Sequence, residues 1–370
     1  MALTPLAGHK AVRKRLGDAV RAGRMPQVLL FEGAEGIGRQ RLALWLAQLL
    51  FCEKKNSEPC GACRSCRLVS ELGHADVHWI VPILRPKATD SDKQVDEAAE
   101  LIGEIIAERR KNPLYGSLDG MASHPLATVR LIQRRAALKS VEGGPTVFII
   151  GHAERLVPQE SSPDAANALL KLLEEPPANT WFILTATDAG RLLPTIQSRV
   201  VPVRLARLTD AEVREFLGAE LKPALSGAAL DDRVRTAEGS IGAAISASDA
   251  GAKAFNAAAD LIDVALQGSV VRAERVLKQG PFAARGDFSA MLDALEQTLG
   301  DAARAATGIP PRRALPTALK SPRPVSRLLA AQQRVADARE AAQGNVNPQL
   351  LVAVLTEDLA LALNSVKGER

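Results

Sequence analysis

The sequence predicts an α/β fold with a mostly parallel sheet, followed by helical segments that carry no strands. Short apolar runs alternate with amphipathic stretches up to about residue 205, the pattern of a sheet covered by helices on both faces. From about residue 250 onward no strand pattern remains. The 370 residues, 46% hydrophobic and 24% charged, are too many for one ordinary domain and enough to bury real cores.

Gln27–Glu32 is a short apolar strand, Gly33–Gly38 a glycine-rich loop, and Arg39 opens a helix on which Leu42, Trp45, Leu46 and Leu49 recur at helical spacing. Val77–Leu84 is the next strand, and residues 85–95 read as a polar loop. Val95, Ala98, Ala99, Ile102 and Ile106 mark a helix ending near Asn112-Pro113, and Tyr115–Pro125 reads as an irregular connection. The whole 85–125 stretch is expected to be a surface insertion. A helix over Ala127–Ser140 precedes the strand Thr146–Ile150. Ser162-Pro163 signals the start of a helix over Asp164–Glu174, which Pro176-Pro177 ends. Trp181–Thr185 and Val200–Leu205 complete the strands.

Beyond these, Thr209-Asp210-Ala211-Glu212 is a capping box that opens a small helical unit, interrupted at Gly239-Ser240. Phe288, Met291, Leu292, Leu295 and Leu299 share one helical face, and residues 310–324 form a proline-rich basic connection. Asn347-Pro348 caps a last helix with Leu351, Leu355 and Leu359 every four residues. Such stripes read as core, with a subunit interface as the minority meaning.

Composition narrows the function. With 47 Lys+Arg against 42 Asp+Glu the formal charge is +5, mildly basic and compatible with work near nucleic acid. Aromatic residues make up only 3% of the chain, which argues against a stacking platform for single strands. No apolar run approaches the roughly 18 residues of a membrane span, and the first 30 residues lack the apolar region of a signal peptide. The expectation is a soluble, cytoplasmic protein.

All four cysteines, Cys52, Cys60, Cys63 and Cys66, fall within fifteen residues. Four thiolates at this spacing can close on one tetrahedral zinc and leave it no open position. The pattern therefore reads as a structural zinc knuckle. Reduced free thiols or an iron–sulfur cluster are the alternatives, and disulfides fit poorly with a chain lacking an export signal.

The glycine loop has the context of a phosphate-binding loop, strand before and helix after, with Gly33, Gly36 and Gly38 in place. Its chemistry differs. Arg39 stands at the lysine position and Gln40 at the magnesium-holding hydroxyl. The strand Thr146–Ile150, where an acidic pair should follow, ends in Gly151-His152. His152 reads as a surface histidine rather than a general base. The sequence thus predicts a P-loop fold without ATPase chemistry.

The run Asn167-Ala168-Leu169-Leu170-Lys171-Leu172-Leu173-Glu174-Glu175-Pro176-Pro177, with Leu192-Leu193-Pro194-Thr195-Ile196-Gln197-Ser198-Arg199 downstream, resembles the clamp-loader branch of the AAA+ ATPases. A cysteine knuckle after the P-loop helix is typical of its bacterial subunits. The resemblance covers roughly residues 1–250 in motifs and the remainder more weakly. It implies an AAA+ P-loop-like core over 1–206 with a zinc module at about 52–66, a small helical lid over 207–249 and a helical collar over 250–370. It also implies a subunit of the DNA polymerase III holoenzyme that is no enzyme by itself, holds structural zinc, and has no functional ATP site. Its implied partners are gamma/tau and delta subunits, a sliding clamp and primed DNA, with no membrane. In that family a Ser-Arg-Cys motif lends its arginine to the ATP site of a neighbour. Here Ser198-Arg199-Val200 keeps the arginine and loses the cysteine, so Arg199, beside Ser198, is the residue implied to act in trans. The lid arginine of active members, in a Gly-Ser-x-Arg pattern, is missing from Gly239-Ser240-Ile241-Gly242. Two rival readings are a gamma/tau-type motor, which would need the missing lysine, hydroxyl and acids, and a non-replicative adaptor built on an inactive core.

Overall fold

A computed structural model describes residues 3–54, 56–112, 122–156, 164–220, 226–246, 249–277, 285–342 and 347–364. The chain divides into two compact units, residues 1–245 and 246–370. The expected Ser162-Pro163 helix start and most of the Tyr115–Pro125 connection lie outside the described residues.

The first unit runs α1 (Lys10–Arg21), β1 (Val28–Glu32), α2 (Arg39–Phe51), α3 (Arg64–Ser70), β2 (Val77–Ile80), α4 (Ser91–Lys111), α5 (Leu126–Ala136) and β3 (Thr146–Ile150). It continues with α6 (Asp164–Glu174), β4 (Thr180–Ala186), α7 (Pro194–Gln197), β5 (Val201–Arg204), α8 (Asp210–Glu220), α9 (Gly227–Ala237) and α10 (Ile241–Ser246). The five strands form one sheet in the order β2-β3-β4-β1-β5, every pairing parallel. Its register sets Leu30 against Leu184 and Phe148 against Phe182, whose rings stack at 5.1 Å. All of β1 and four residues of β3 are buried, as continuous apolar strands covered on both faces should be. The glycine loop and the Gly151 turn follow the carboxyl ends of β1 and β3, the edge at which open α/β sheets bind ligands.

Several boundaries differ from the sequence reading. The polar 85–95 stretch is not all loop: Asp90 accepts hydrogen bonds from the amides of Asp92 and Lys93 and starts α4 there. Nor is this helix a loose insertion, because Val95, Ala98 and Ile102 are buried in the main core. β2 stops at Ile80, since beyond it only Ile83 bridges, antiparallel, to Ser123. The helix expected to reach Ser140 ends at Ala136. α1 went unread because its apolar positions are few among many basic ones.

The capping box is reciprocal: the Thr209 amide donates to Glu212 Oε2 at 2.9 Å and the Glu212 amide to Thr209 Oγ at 3.2 Å. The segment it opens has its own small apolar cluster around Val213, Leu217 and Val234.

The second unit is built of helices with no strand among its described residues: α11 (Asp249–Ala265), α12 (Ser269–Leu277), α13 (Arg285–Ala306), α14 (Val325–Ala342) and α15 (Pro348–Leu363). The expected stripes of α13 and α15 are buried in one core with Leu261, Leu328 and Val335. Asn347 caps α15 by accepting from the Gln349 amide. The basic connection is pinned to the helices: the amides of Arg312 and Arg313 donate to the buried Asp301 carboxylate, and the Ala318 amide donates to Asp263 Oδ1 at 3.2 Å.

Candidate functional site

The glycine loop leaves β1 and delivers the chain into α2 through Gly38, whose φ of 102° belongs to the left-handed region. Gly36, at φ 72°, meets a second constraint: a Cβ there would lie 2.3 Å from Ser240 Oγ and 2.8 Å from Gly242 Cα. The interruption expected at Gly239-Ser240 is therefore a contact surface. Ser240 Oγ donates to the Glu35 carbonyl at 2.9 Å, and the Gly242 amide donates to the Gly36 carbonyl at 2.9 Å. An arginine side chain at position 242 has no room, because even its Cβ would stand 2.6 Å from Gly36 Cα.

Arg39 is only 6% exposed, and its Nη1 is buried with no hydrogen-bond partner. Burial lowers its pKa from the usual arginine value, while the Glu154 and Glu35 carboxylates favour its charge. For Glu154, burial disfavours ionisation, but His152, its own backbone amide and Arg39 together outweigh that and hold the acid at about 2. Its Oε1 also accepts from Thr187 Oγ at 3.0 Å. Arg39 is thus a buried cation whose charge is favoured by carboxylates of its own chain, where an exposed lysine would await a phosphate. His152 does not sit openly at the surface as expected: its side chain is 16% exposed and its Nδ1 lies 3.8 Å from Glu154 Oε1.

Gln40 reaches across to the tip of β3. Its Oε1 accepts from Trp79 Nε1 at 3.0 Å. A Cβ on Gly151 would stand 2.9 to 3.1 Å from the Gln40 amide atoms. The amide therefore occupies the space that a carboxylate at position 151 would need. His124, a residue the sequence reading passed over, supports the same turn: its Nε2 bonds the Gly151 carbonyl at 2.7 Å. Burial lowers its pKa to about 4, so near pH 7 it is neutral and donates from Nε2. Only its isolated position in a stretch read as irregular was visible in the sequence.

The four cysteines converge as their spacing predicts. Cys52 ends α2, Cys63 caps α3 and Cys66 lies in its first turn. Their sulfurs all lie within 4.8 Å of one another, and all four are free thiols. Tetrahedral zinc with bonds of 2.3 Å needs sulfurs about 3.8 Å apart, and Cys60 and Cys66 already stand at 4.0 Å. Backbone amides point at the sulfurs, Cys63 to Cys60 Sγ at 3.3 Å and Cys66 to Cys63 Sγ at 3.4 Å. The amides of Ala62 and Cys63 lower the Cys60 thiol to about 6, whereas burial pushes Cys66 up. This donor set fits a closed structural metal site. Gln48 Nε2 ties it to α2 through the Cys66 carbonyl at 2.9 Å.

Arg199 lies away from these groups, between α7 and the edge strand β5. Its Nε donates to Glu174 Oε1 at 2.8 Å and its Nη2 to the same oxygen, while Nη1 donates to the Thr195 carbonyl at 2.7 Å and to Ser198 Oγ at 3.1 Å. Ser198 Oγ in turn donates to the Thr195 carbonyl at 3.1 Å.

Residues 8–209 match the family model described as DNA polymerase III, delta subunit. The delta-prime subunit of Bacillus subtilis DNA polymerase III is 29% identical over 188 residues, 51% of this chain and 44% of that protein. That of Haemophilus influenzae is 32% identical over 171 residues, 46% and 40% respectively. The tau subunit of Escherichia coli is 28% identical over 248 residues, 66% of this chain and 32% of that protein. The matched stretch spans about half or less of each relative's length. With the family match covering more than half of its residues and delta-prime subunits among its relatives, the chain belongs to the DNA polymerase III delta subunit family, on the delta-prime side.

Proposed function

We propose that this chain is the subunit of a replicative clamp loader that lacks ATPase activity of its own and acts on a neighbouring ATPase through Arg199. The carrying observation is the Gln40 amide beside Gly151. Magnesium-dependent hydrolysis needs a hydroxyl and a carboxylate at those two places, and here an amide fills the space between them. The burial of Arg39 and the close packing of Ser240 and Gly242 on the glycine loop support the same reading. The partners follow from it: gamma/tau and delta subunits, a sliding clamp, and primed DNA within the complex. Residues 207–249 then act as the lid and 250–370 as the collar that joins the ring. The cysteine module holds one structural zinc and takes no part in the reaction.

Mixing the purified chain with gamma/tau and delta subunits tests this, with complex size as the readout and ATP binding measured on the chain alone. The expected result is entry into the complex with no ATP binding in isolation. Magnesium-dependent turnover by the chain alone, at full stoichiometry and surviving further purification, would overturn it.

A further inference from the structure

A guanidinium has five N–H donors, and Arg199 commits four of them to its own chain. Two go to Glu174 Oε1, one to the Thr195 carbonyl and one to Ser198 Oγ. No two adjacent donors remain free, although bidentate recognition of a phosphoryl group requires such a pair. The ion pair is not buried: the Arg199 side chain is 28% exposed and that of Glu174 47%. A neighbouring molecule can therefore reach the guanidinium, but only by displacing a carboxylate that already neutralises it. Glu174 is the last residue of α6, and Thr195 and Ser198 belong to α7 and its end. Two separate elements thus grip the same side chain.

We infer that Glu174 is a positioning residue that withholds Arg199, and that a phosphoryl group on the adjoining subunit competes with the Glu174 carboxylate for the guanidinium. This rests on the reading of Arg199 as a group donated in trans. The engaged arginine is then the minor state until a phosphate of higher charge offsets the lost pair, and the basal rate is reduced by that fraction. Replacing the carboxylate by an amide keeps an acceptor of the same shape but removes the charge, which weakens the hydrogen bonds.

The test uses the complex reconstituted with gamma/tau and delta subunits, with complex size and zinc content as checks on folding. Steady-state kcat and KM for ATP are measured with and without primed DNA and clamp. Glu174→Gln is expected to raise kcat without DNA by about two- to fivefold, the factor corresponding to an exposed ion pair, at unchanged KM. Glu174→Asp, which keeps the charge, should stay near wild type. In an Arg199→Ala background, Glu174→Gln should change nothing. If Arg199→Ala lowers the stimulated rate while Glu174→Gln leaves the unstimulated rate unchanged or lowers it, donation stands and withholding is wrong. A rise that persists without Arg199 also overturns withholding, because the glutamate then acts through another group. A wild-type stimulated rate in Arg199→Ala removes the donation reading and this inference with it.

Discussion

His124 and His78 are held neutral because burial outweighs every group that would favour their charge, and each pKa falls from 6.5 to about 4. Between those values the unfolded chain binds protons that the folded one refuses, so stability declines as pH falls from about 6.5 to about 4. For the fully enclosed His124 the loss is on the order of 3 kcal/mol. Urea unfolding at pH 7 and pH 4.5 should show it, and His124→Gln should flatten part of the slope. Glu154 acts in a lower window: with its acid held at about 2 against a usual 4.5, its contribution is present above pH 4.5 and vanishes as pH falls toward 2. The Gln40–Gly151 contact predicts a coupling of a different kind. Gly151→Asp alone should destabilise by about 1–3 kcal/mol through overpacking and bind no magnesium. With Gln40→Thr added, most of that loss should return, because the blocking amide is gone. Arg39→Lys alone should not rescue turnover, because the hydroxyl and the carboxylate would still be missing. A double-mutant cycle in unfolding free energy measures the coupling directly, and additive effects would mean that the two side chains do not compete for space.

At the scale of elements, the cysteine module joins the end of α2 to the first turn of α3, so metal and local structure should be lost together. Cys63→Ser should take zinc from one per chain to well below that, because one of four thiolate ligands is lost even though the serine hydroxyl can still cap α3. Metal analysis of protein prepared without chelator checks this, and protein that carries no zinc before mutation would refute the assignment. Much of this level was legible in the sequence. Continuous apolar runs and period-3.6 stripes report burial, and β1 and β3 carry the first while α13 and α15 carry the second. α1 was missed because basic residues crowd its surface face, and the start of α4 because Asp90-Ser91 looks like a turn until its side chain is seen capping a helix. At the site, the residues at positions 39, 40, 151 and 152 were readable as departures from a motif. Their mutual arrangement was not, because Trp79, His124 and Ser240 reach the same place from distant parts of the chain.

For the whole molecule, Arg199→Ala decides the mechanism. It should leave folding, zinc content and complex assembly intact, since the residue is partly exposed and its Glu174 partner can turn to solvent. DNA- and clamp-stimulated ATPase should fall. Arginine fingers are worth about 10³–10⁵ in GTPases, but on the proposed reading only one site of several receives this arginine, so the loss over the ring should be about twofold or less. Clamp loading at the wild-type rate under limiting ATP would exclude the role. Within the first unit, the contact of Gly242 with Gly36 also makes a clock available. The Gly242 amide proton is held by a carbonyl of the glycine loop rather than by its own helix. It can exchange with solvent deuterium only when residues 240–242 lift away from that loop. Its exchange rate in the free chain, set beside its rate in the assembled complex, would therefore time that one opening, amide by amide, without any label on either side.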